Sequence, residues 1–375
     1  MISPDTAGVL SQPSTLARDS KSSPRLITDH VVAKGSHRSV LNYPYVQYND
    51  TLGTDYHPGR GNLMQPTKID THHHFFPKAY VDAVGWEMLA AVMPNGKAPT
   101  WSVQAALDVL DENQIETAIL SISSGPKLHQ ADVLLRRCTE AAAELRATHP
   151  KRFGSFASLP LPDIEASLKE IAFASDQLAV HGFIVFTSYE GRYLGDEWFK
   201  PILEELDRRS AVVFIHPNMP AYSVPTVAPA SVLEFPFETT RTATSLLIAG
   251  VPSRYKRIRF ILSHAGGALP SLAPRIALSL SMMPGLVERV GDPLAGLRSF
   301  YYDTALSAGA STLSALCRIT DADHILFGTD FPFAPTSAIR AFGKVLDEMQ
   351  VPGFDRPAVY RSNAERLLGL NKVGA

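Results

Sequence analysis

Cysteine and long apolar runs are both scarce in this chain of 375 residues. The two cysteines, Cys138 and Cys317, are too few for a disulfide framework, so we expect a reducing compartment. No run reaches the ~18 consecutive apolar residues that a membrane-spanning helix needs. The first 25 residues also lack the apolar core of a secretory signal. These absences predict a cytoplasmic protein with no membrane partner.

An excess of charge of either sign is missing as well. Lysine and arginine number 35 against 37 aspartates and glutamates, which gives a formal net charge of −2 at pH 7. Nucleic acids attract proteins with a basic surplus, so no nucleic-acid partner is expected. Because 45% of the residues are hydrophobic, the chain can fill a globular core. A small molecule is therefore the expected partner.

The character of the chain changes near residue 66. Residues 1–36 have no hydrophobic periodicity and are interpreted as a tail. Residues 37–66 are expected to form an arm that docks on a domain or on a neighbouring subunit, because they carry enough aromatic and apolar side chains to bury against another surface. These side chains are Tyr43, Tyr45, Tyr48, Leu52 and Tyr56. Residues 67–375 are predicted to form one catalytic domain.

Short β-branched or aromatic runs alternate with helix-length stretches after residue 66, which is typical of repeated βα units. Eight such runs predict the α/β fold of a closed (β/α)8 TIM barrel. The runs are residues 68–71, 116–122, 153–159, 181–186, 211–216, 258–264, 300–304 and 325–329. The expected helices include residues 128–148, 164–177, 197–209, 236–249 and 336–348. Residues 81–100 are predicted to be an insertion after the first strand, and residues 218–233 a long loop after the fifth.

Several predicted strands end in side chains that bind metals. In chain order these are His72, His73 and His74, then His216, His264 and Asp330. Alternate residues of a strand share a face, so His72 and His74 can reach one point while His73 faces away. His216 and Asp330 complete a set of three imidazoles and one carboxylate with room left for water or substrate. One divalent metal ion is predicted, with Zn²⁺ preferred and Mn²⁺ as the alternative.

Proton transfer beside this metal has two candidates. His264 precedes the pair Gly266 and Gly267, which lets backbone and ligand approach closely, so it fits an imidazole that transfers a proton. Asp330 is the other candidate, and the residues alone do not choose between the two. Asp303, at the end of the seventh run, is expected either to orient His264 or to bind substrate.

The motifs at these strand ends resemble the amidohydrolase superfamily and, within it, the metal-dependent decarboxylases that need no oxygen. The branch includes 6-methylsalicylate decarboxylases and, further away, aminocarboxymuconate-semialdehyde decarboxylases. The resemblance lies in DTHHHFFP (residues 70–77), RFGSFASLPLP (152–162), FIHP (214–217), SHAGGALP (263–270) and FGTDFP (327–332). It covers residues 68–371 and leaves the N-terminal arm outside.

The resemblance implies specific roles for residues of this chain. By motif position, it implies a catalytic histidine at His264 and metal ligands at His72, His74, His216 and Asp330. Arg275 matches an arginine that reaches the substrate of a neighbouring subunit in the semialdehyde decarboxylases, which implies a homodimer or a higher homo-oligomer. The fourth run lacks the lysine or glutamate that bridges two metals in binuclear relatives, apart from Glu190 nearby, so a mononuclear site is expected.

Two reactions fit this site. The first is nonoxidative decarboxylation of a small aromatic carboxylic acid of the ortho-hydroxybenzoate type, similar to 6-methylsalicylate, whose carboxylate and phenolate oxygens chelate the metal. The alternative is hydrolysis of a lactone, amide or ester by a metal-activated water, with His264 as general base. The side chains expected to contact the substrate ring are Phe75, Trp101, Tyr189 and Phe331.

Overall fold

The structure is a computed structural model that describes residues 68–123, 131–222 and 227–370. The predicted tail and docking arm, residues 1–66, lie outside these ranges. None of the helices in the described part of the chain is both long enough and apolar enough to cross a membrane.

Eight parallel strands form one sheet, and each strand pairs with the next sheet strand along the chain. The strands are β1 (Lys68–His74), β2 (Ile115–Ser121), β3 (Phe153–Ser158), β4 (Gly182–Phe186), β7 (Val212–His216), β8 (Arg259–Leu262), β9 (Tyr301–Asp303) and β10 (Ile325–Leu326). A separate antiparallel hairpin follows β4 and consists of β5 (Ser188–Tyr189) and β6 (Arg192–Tyr193). The predicted hydrophobic runs therefore became strands in the expected order.

The first strand and the segment that follows the last strand close this sheet. His73 and Phe331 form a parallel β-bridge. Backbone hydrogen bonds join Thr71 N to Phe327 O (3.0 Å), Asp330 N to His72 O (2.8 Å) and His74 N to Phe331 O (2.6 Å). The predicted (β/α)8 TIM barrel is confirmed.

The helices surround the barrel, and the apolar core lies in two places. One cluster fills the barrel interior with inward-facing strand residues such as Ile119, Ile184 and Phe214. A larger cluster packs the outer faces of the strands against the helices. The helices are α1 (Lys78–Val84), α2 (Trp86–Ala91), α3 (Val103–Glu112), α4 (Ala131–Thr148), α5 (Ile164–Asp176), α6 (Lys200–Arg208), α7 (Glu234–Ile248), α8 (Val251–Arg254), α9 (Leu269–Ser281), α10 (Val287–Val290), α11 (Pro293–Arg298), α12 (Ala310–Leu316), α13 (Thr336–Glu348) and α14 (Asn363–Leu368).

Polar residues mark the starts of several helices. Ser102 accepts a hydrogen bond from Ala105 N before α3, and Asp163 accepts one from Ala166 N before α5. The insertion predicted over residues 81–100 contains the end of α1 and all of α2. The predicted helix 197–209 begins as a 3-10 turn, Glu197–Phe199, before it continues as α6. These differences move boundaries without moving the carboxyl ends of the strands, where the candidate site lies.

Candidate metal centre

Four predicted ligands meet at the carboxyl end of the barrel. His72 and His74 lie on β1, His216 is the last residue of β7, and Asp330 lies four residues after the end of β10. One ligand atom from each of them lies within 4.8 Å of every other. Asp330 Oδ1 is 3.3 Å from both His72 Nε2 and His74 Nε2. All four side chains are buried, so side chains of the kind that bind metal ions lie together away from solvent.

The spacing and orientation of these donors suit a single ion. The Nε2 atoms of His72 and His74 are 3.1 Å apart, and their rings are nearly perpendicular. The His216 ring is edge-on to both, with centroid distances of 5.2 Å and 4.7 Å. Ligands at about 2.1 Å from a tetrahedral Zn²⁺ lie roughly 3.4 Å from one another. The observed separations therefore match donors that share one cation.

Two orphaned polar atoms point to the same conclusion. Within the described residues, His216 Nδ1 is buried without a hydrogen-bond partner, and the 3.3 Å contacts of the buried Asp330 Oδ1 with two imidazole nitrogens lack hydrogen-bond geometry. A buried polar atom without a partner costs about 1–3 kcal/mol. A divalent cation held by these atoms would remove that cost, so the residues fit one divalent metal ion. The assignment of each residue as a ligand stays a prediction.

The ionisation of these groups follows from burial and from their neighbours. Burial lowers the pKa of His74 and of His216, so both imidazoles are neutral and can donate a lone pair to a metal. Burial also opposes a charge on His72, but Asp303 and Asp330 outweigh it and raise the pKa of His72 to about 10. Burial would raise the pKa of Asp330, yet the adjacent His72 holds it well below its usual value. A cation that binds here therefore competes with a proton on His72.

Asp303 holds both His72 and the backbone of His264. Its Oδ2 lies 2.9 Å from His72 Nδ1, which leaves Nε2 of that ring turned toward Asp330. Its Oδ1 accepts hydrogen bonds from His264 N (3.0 Å) and Ala305 N (2.9 Å). Carboxylates in this position fix the tautomer and the ring orientation of metal-binding histidines. These contacts support the expected role in orienting His264, while direct contact with substrate stays a prediction.

His264 lies beside the centre in a tight turn. His264 and Ala265 have left-handed φ angles of 54° and 55°, which are costly for residues other than glycine. Gly267 is required in this turn because a Cβ there would come 2.0 Å from Pro236 O. The His264 ring centroid is 4.8 Å from that of His72, and His264 Nδ1 lies 3.0 Å from Ala305 O. Among the described residues, Nε2 of this imidazole has no hydrogen-bond partner, so it is available for proton transfer.

The residues predicted to contact a substrate ring are in different surroundings. Phe75 is buried and packs edge-on against Trp101, whose Nε1 is buried without a partner in the described residues. Phe331 packs on His73, with ring centroids 4.9 Å apart. The hydroxyl of Tyr189 accepts a hydrogen bond from the backbone N of the last residue of β4. Their contact with substrate stays a prediction.

Arg275 lies on the surface of the molecule. It is exposed on α9 and makes no ion pair with any residue of the described ranges. Leu278 on the same helix and Met282 directly after it are also exposed, at 63% and 74% of their surface. The expected role for Arg275, at the site of a neighbouring subunit, is not tested by a single chain.

Sequence reasoning missed two aromatic contacts at the centre. Phe333 packs edge-on against His74, with ring centroids 5.4 Å apart. Phe214 packs against His72 from inside the barrel at 4.9 Å. The position of Phe214 two residues before His216 on one strand predicts a shared face. The irregular turn after Asp330 offers no such rule for Phe333.

Comparison with known proteins agrees with the geometry. The model of the amidohydrolase family matches residues 69–370. The chain belongs to the amidohydrolase family. A 6-methylsalicylic acid decarboxylase from Penicillium expansum is 39% identical over 297 residues, covering 76% of this chain and 91% of the relative. One from Aspergillus aculeatus is 41% identical over 298 residues, covering 75% and 89%.

A solved structure is also similar to this chain. The crystal structure of a 2,6-dihydroxybenzoate decarboxylase complexed with 2,6-dihydroxybenzoate is 26% identical, with a TM-score of 0.69. The match covers 82% of this chain and 100% of that chain. The family resemblance expected from the strand-end motifs is confirmed.

Proposed function

We propose that this chain catalyses the metal-dependent, nonoxidative decarboxylation of 6-methylsalicylate or a closely related ortho-hydroxybenzoate. The observation that carries the proposal is a buried cluster of three imidazoles and one carboxylate in a chain about 40% identical to two 6-methylsalicylic acid decarboxylases. The same relatives favour a carboxy-lyase over the hydrolase alternative. The chain is accordingly an enzyme of the amidohydrolase superfamily that breaks a carbon–carbon bond.

The proposed ligands of the metal are His72, His74, His216 and Asp330. When bound there, a divalent ion supplies a Lewis acid for the carboxylate and phenolate oxygens of the substrate. Three nitrogens and one oxygen suit Zn²⁺ well, and Mn²⁺ is the alternative because selectivity also depends on metal supply. Elemental analysis of the purified protein distinguishes the two metals.

Decarboxylation needs a proton at the ring carbon that carries the carboxylate. The carbon–carbon bond then breaks, its electron pair stays on the ring, CO2 leaves, and 6-methylsalicylate becomes 3-methylphenol. We assign this proton to Nε2 of His264, whose Nδ1 donates a hydrogen bond to Ala305 O and whose ring centroid lies 4.8 Å from that of His72. Asp330 is the weaker candidate, since its Oδ1 already lies 3.3 Å from two imidazole nitrogens.

Water exclusion is the second contribution of the chain. The ligands lie below the surface, Phe333 packs on His74, and Phe75 directly follows His74 and packs against Trp101. A dry site strengthens each electrostatic contact and protects the developing charge on the ring from bulk water. We assign Phe333 to contact with the substrate ring.

A homodimer or a higher homo-oligomer is part of the proposal. Arg275 is exposed, and the apolar side chains of Leu278, Met282 and Met283 on and after the same helix are exposed as well. Exposed apolar surface around the guanidinium of Arg275 suits contact with a second copy of the chain. There the arginine would bind the carboxylate of the substrate held by that second copy. A cytoplasmic location is also proposed, and the two cysteines, both free, are consistent with a reducing compartment.

A substrate panel tests the proposed reaction. The purified protein is incubated with 6-methylsalicylate, with 2,6-dihydroxybenzoate and with an aryl lactone, and both CO2 and ring-opened acid are measured. The proposal expects CO2 and 3-methylphenol in equal amounts from 6-methylsalicylate, with little product from the lactone. Lactone opening without CO2 release from either acid would instead establish the hydrolase.

A further inference from the structure

Asp70 is a fully buried carboxylate that the proposed mechanism does not use. Its Oδ1 accepts hydrogen bonds from His72 N (3.1 Å) and Thr329 N (3.0 Å). Its Oδ2 accepts one from the Thr329 hydroxyl (2.5 Å) and lies 2.9 Å from His73 Nδ1. A buried charge is costly unless hydrogen bonds compensate for it, and here four donors do so.

The local backbone explains why Asp70 takes this position. The register between β1 and β2 shifts between Asp70 and His73, so the ladder is irregular where the first ligand lies. Asp70 Oδ1 accepts from His72 N, two residues along the chain, which satisfies a donor at this irregularity. The carboxylate therefore fixes the backbone from which the two imidazoles of β1 project.

Every donor to Asp70 is a proposed metal ligand or a direct neighbour of one. His72 is a proposed ligand, His73 separates the two ligands of β1, and Thr329 precedes Asp330. The hydrogen bonds of Asp70 thus join β1 to the segment after β10, at the seam where these two segments close the barrel. Regular pairing supports this seam weakly, because β10 has only two residues and Asp330 has a left-handed φ of 62°.

We propose that Asp70 is a positioning residue that sets the affinity of the metal centre without touching the metal. It holds the imidazole pair of β1 and the Asp330 carboxylate at the 3.3 Å spacing that one cation requires. The inference rests on the metal centre of the proposed function. It adds that the affinity of this centre depends on a hydrogen-bonded anchor between two strands.

Substitutions at two positions test the anchor. Asp70→Asn keeps the shape of the side chain but places an NH2 group against one of the groups that now donate to the carboxylate. Thr329→Val removes the hydroxyl that donates to Asp70, and Thr329→Ser keeps that hydroxyl. Zn²⁺ affinity is measured in the folded proteins by competition with a chelator. We expect Asp70→Asn and Thr329→Val to bind Zn²⁺ about 10–100-fold more weakly, as for other groups that orient metal ligands, and Thr329→Ser to bind like the wild type.

A second buried carboxylate provides the matched control. Glu170 on α5 is also almost fully buried and pairs with Arg136 on α4 at 2.7 Å, on the outside of the barrel. Glu170→Gln should lower the melting temperature and leave Zn²⁺ affinity unchanged. The visible spectrum of the Co²⁺-loaded protein, which reports ligand geometry, should change in Asp70→Asn and stay the same in Glu170→Gln.

The outcomes separate this inference from the proposed function. Wild-type protein that binds no divalent metal would overturn the proposed function, and the inference with it. Wild-type protein that binds Zn²⁺ while Asp70→Asn and Thr329→Val bind it equally well would overturn only the inference. Equal losses of affinity in Glu170→Gln and Asp70→Asn would reduce Asp70 to a general stabiliser of the fold and would also overturn it.

Discussion

His264 Nδ1 lies 3.0 Å from the carbonyl oxygen of Ala305, and this contact leaves Nε2 as the ring nitrogen available for chemistry. A carbonyl oxygen only accepts hydrogen bonds, so Nδ1 is the donor in this contact. Nε2 has no hydrogen-bond partner among the described residues, and in the proposed mechanism it carries the proton that is delivered to the ring carbon. The Asp303 carboxylate accepts hydrogen bonds from the backbone N of His264 and of Ala305, so it connects the left-handed turn at His264 to the segment that carries Ala305. The relationship makes His264 the best-placed group to exchange a proton with a substrate.

Replacement of His264 by alanine should abolish decarboxylation and leave the metal content unchanged. General acid–base groups contribute about 10²–10⁴-fold to a rate, so kcat should fall by at least roughly 10². Steady-state kinetics and elemental analysis of the same preparation measure both effects. His149→Ala, directly after the C-terminal end of α4, is the control and should keep both wild-type values. A His264→Ala variant with normal turnover would contradict the assignment.

Phe333 should determine the affinity for the aromatic ring. Its side chain is edge-on to His74, so Phe333→Ala should remove one face of the binding surface and raise KM for 6-methylsalicylate by about tenfold, with a smaller effect on kcat. Phe333→Leu should restore part of the affinity. Phe342→Ala is the control, because Phe342 is a partly buried phenylalanine on α13 that packs against the core. This variant should lower the stability of the fold without changing KM. A change in kcat alone would argue against ring contact.

Arg275 should act at the site of a neighbouring subunit. Arg275→Ala and His264→Ala should each be inactive alone, because each removes one essential group from every site. In a mixed dimer, one of the two sites regains both groups, so unfolding and refolding the two variants together should restore about a quarter of wild-type activity. Size-exclusion chromatography checks that dimers form. Mixtures that stay inactive, or a fully active Arg275→Ala protein, would contradict this role.

His181 should make the stability of the fold depend on pH. Burial, assisted by Arg146, lowers its pKa to about 4, and its Nδ1 accepts a hydrogen bond from Ser155 N at 3.3 Å. In the unfolded chain, a histidine takes up its proton near pH 6.5. Between pH 6.5 and 4, His181 is therefore protonated in more of the unfolded molecules than of the folded ones. The contribution is therefore complete above pH 6.5 and is lost as pH falls toward 4, by at most about 3 kcal/mol.

Urea unfolding at pH 7 and at pH 4.5 measures this loss. His181→Gln, which does not titrate, should lose less stability between the two pH values than the wild type does. Equal losses in both proteins would assign the pH dependence to other groups.

The sequence predicted the barrel and the gathering of the candidate ligands for a simple physical reason. Parallel strands put their carboxyl ends on one side, so residues as distant as His72 and Asp330 could be placed together from strand ends alone. Contacts across irregular backbone were not predictable in this way. The packing of Phe333 on His74 and the four hydrogen bonds of Asp70 depend on turns and on a register shift that no periodicity reveals. The hairpin after β4 was missed because its strands have two residues each.

The most direct test of the central claim couples metal content to CO2 release in one preparation. The protein is stripped with a chelator, divalent metal is added back stepwise, and CO2 release from 6-methylsalicylate is measured at each step. Activity should disappear with the metal and return in proportion to it, reaching its maximum at one ion per chain. Full decarboxylation by the metal-free chain, or a loaded chain that releases no CO2 from any ortho-hydroxybenzoate, would contradict the account.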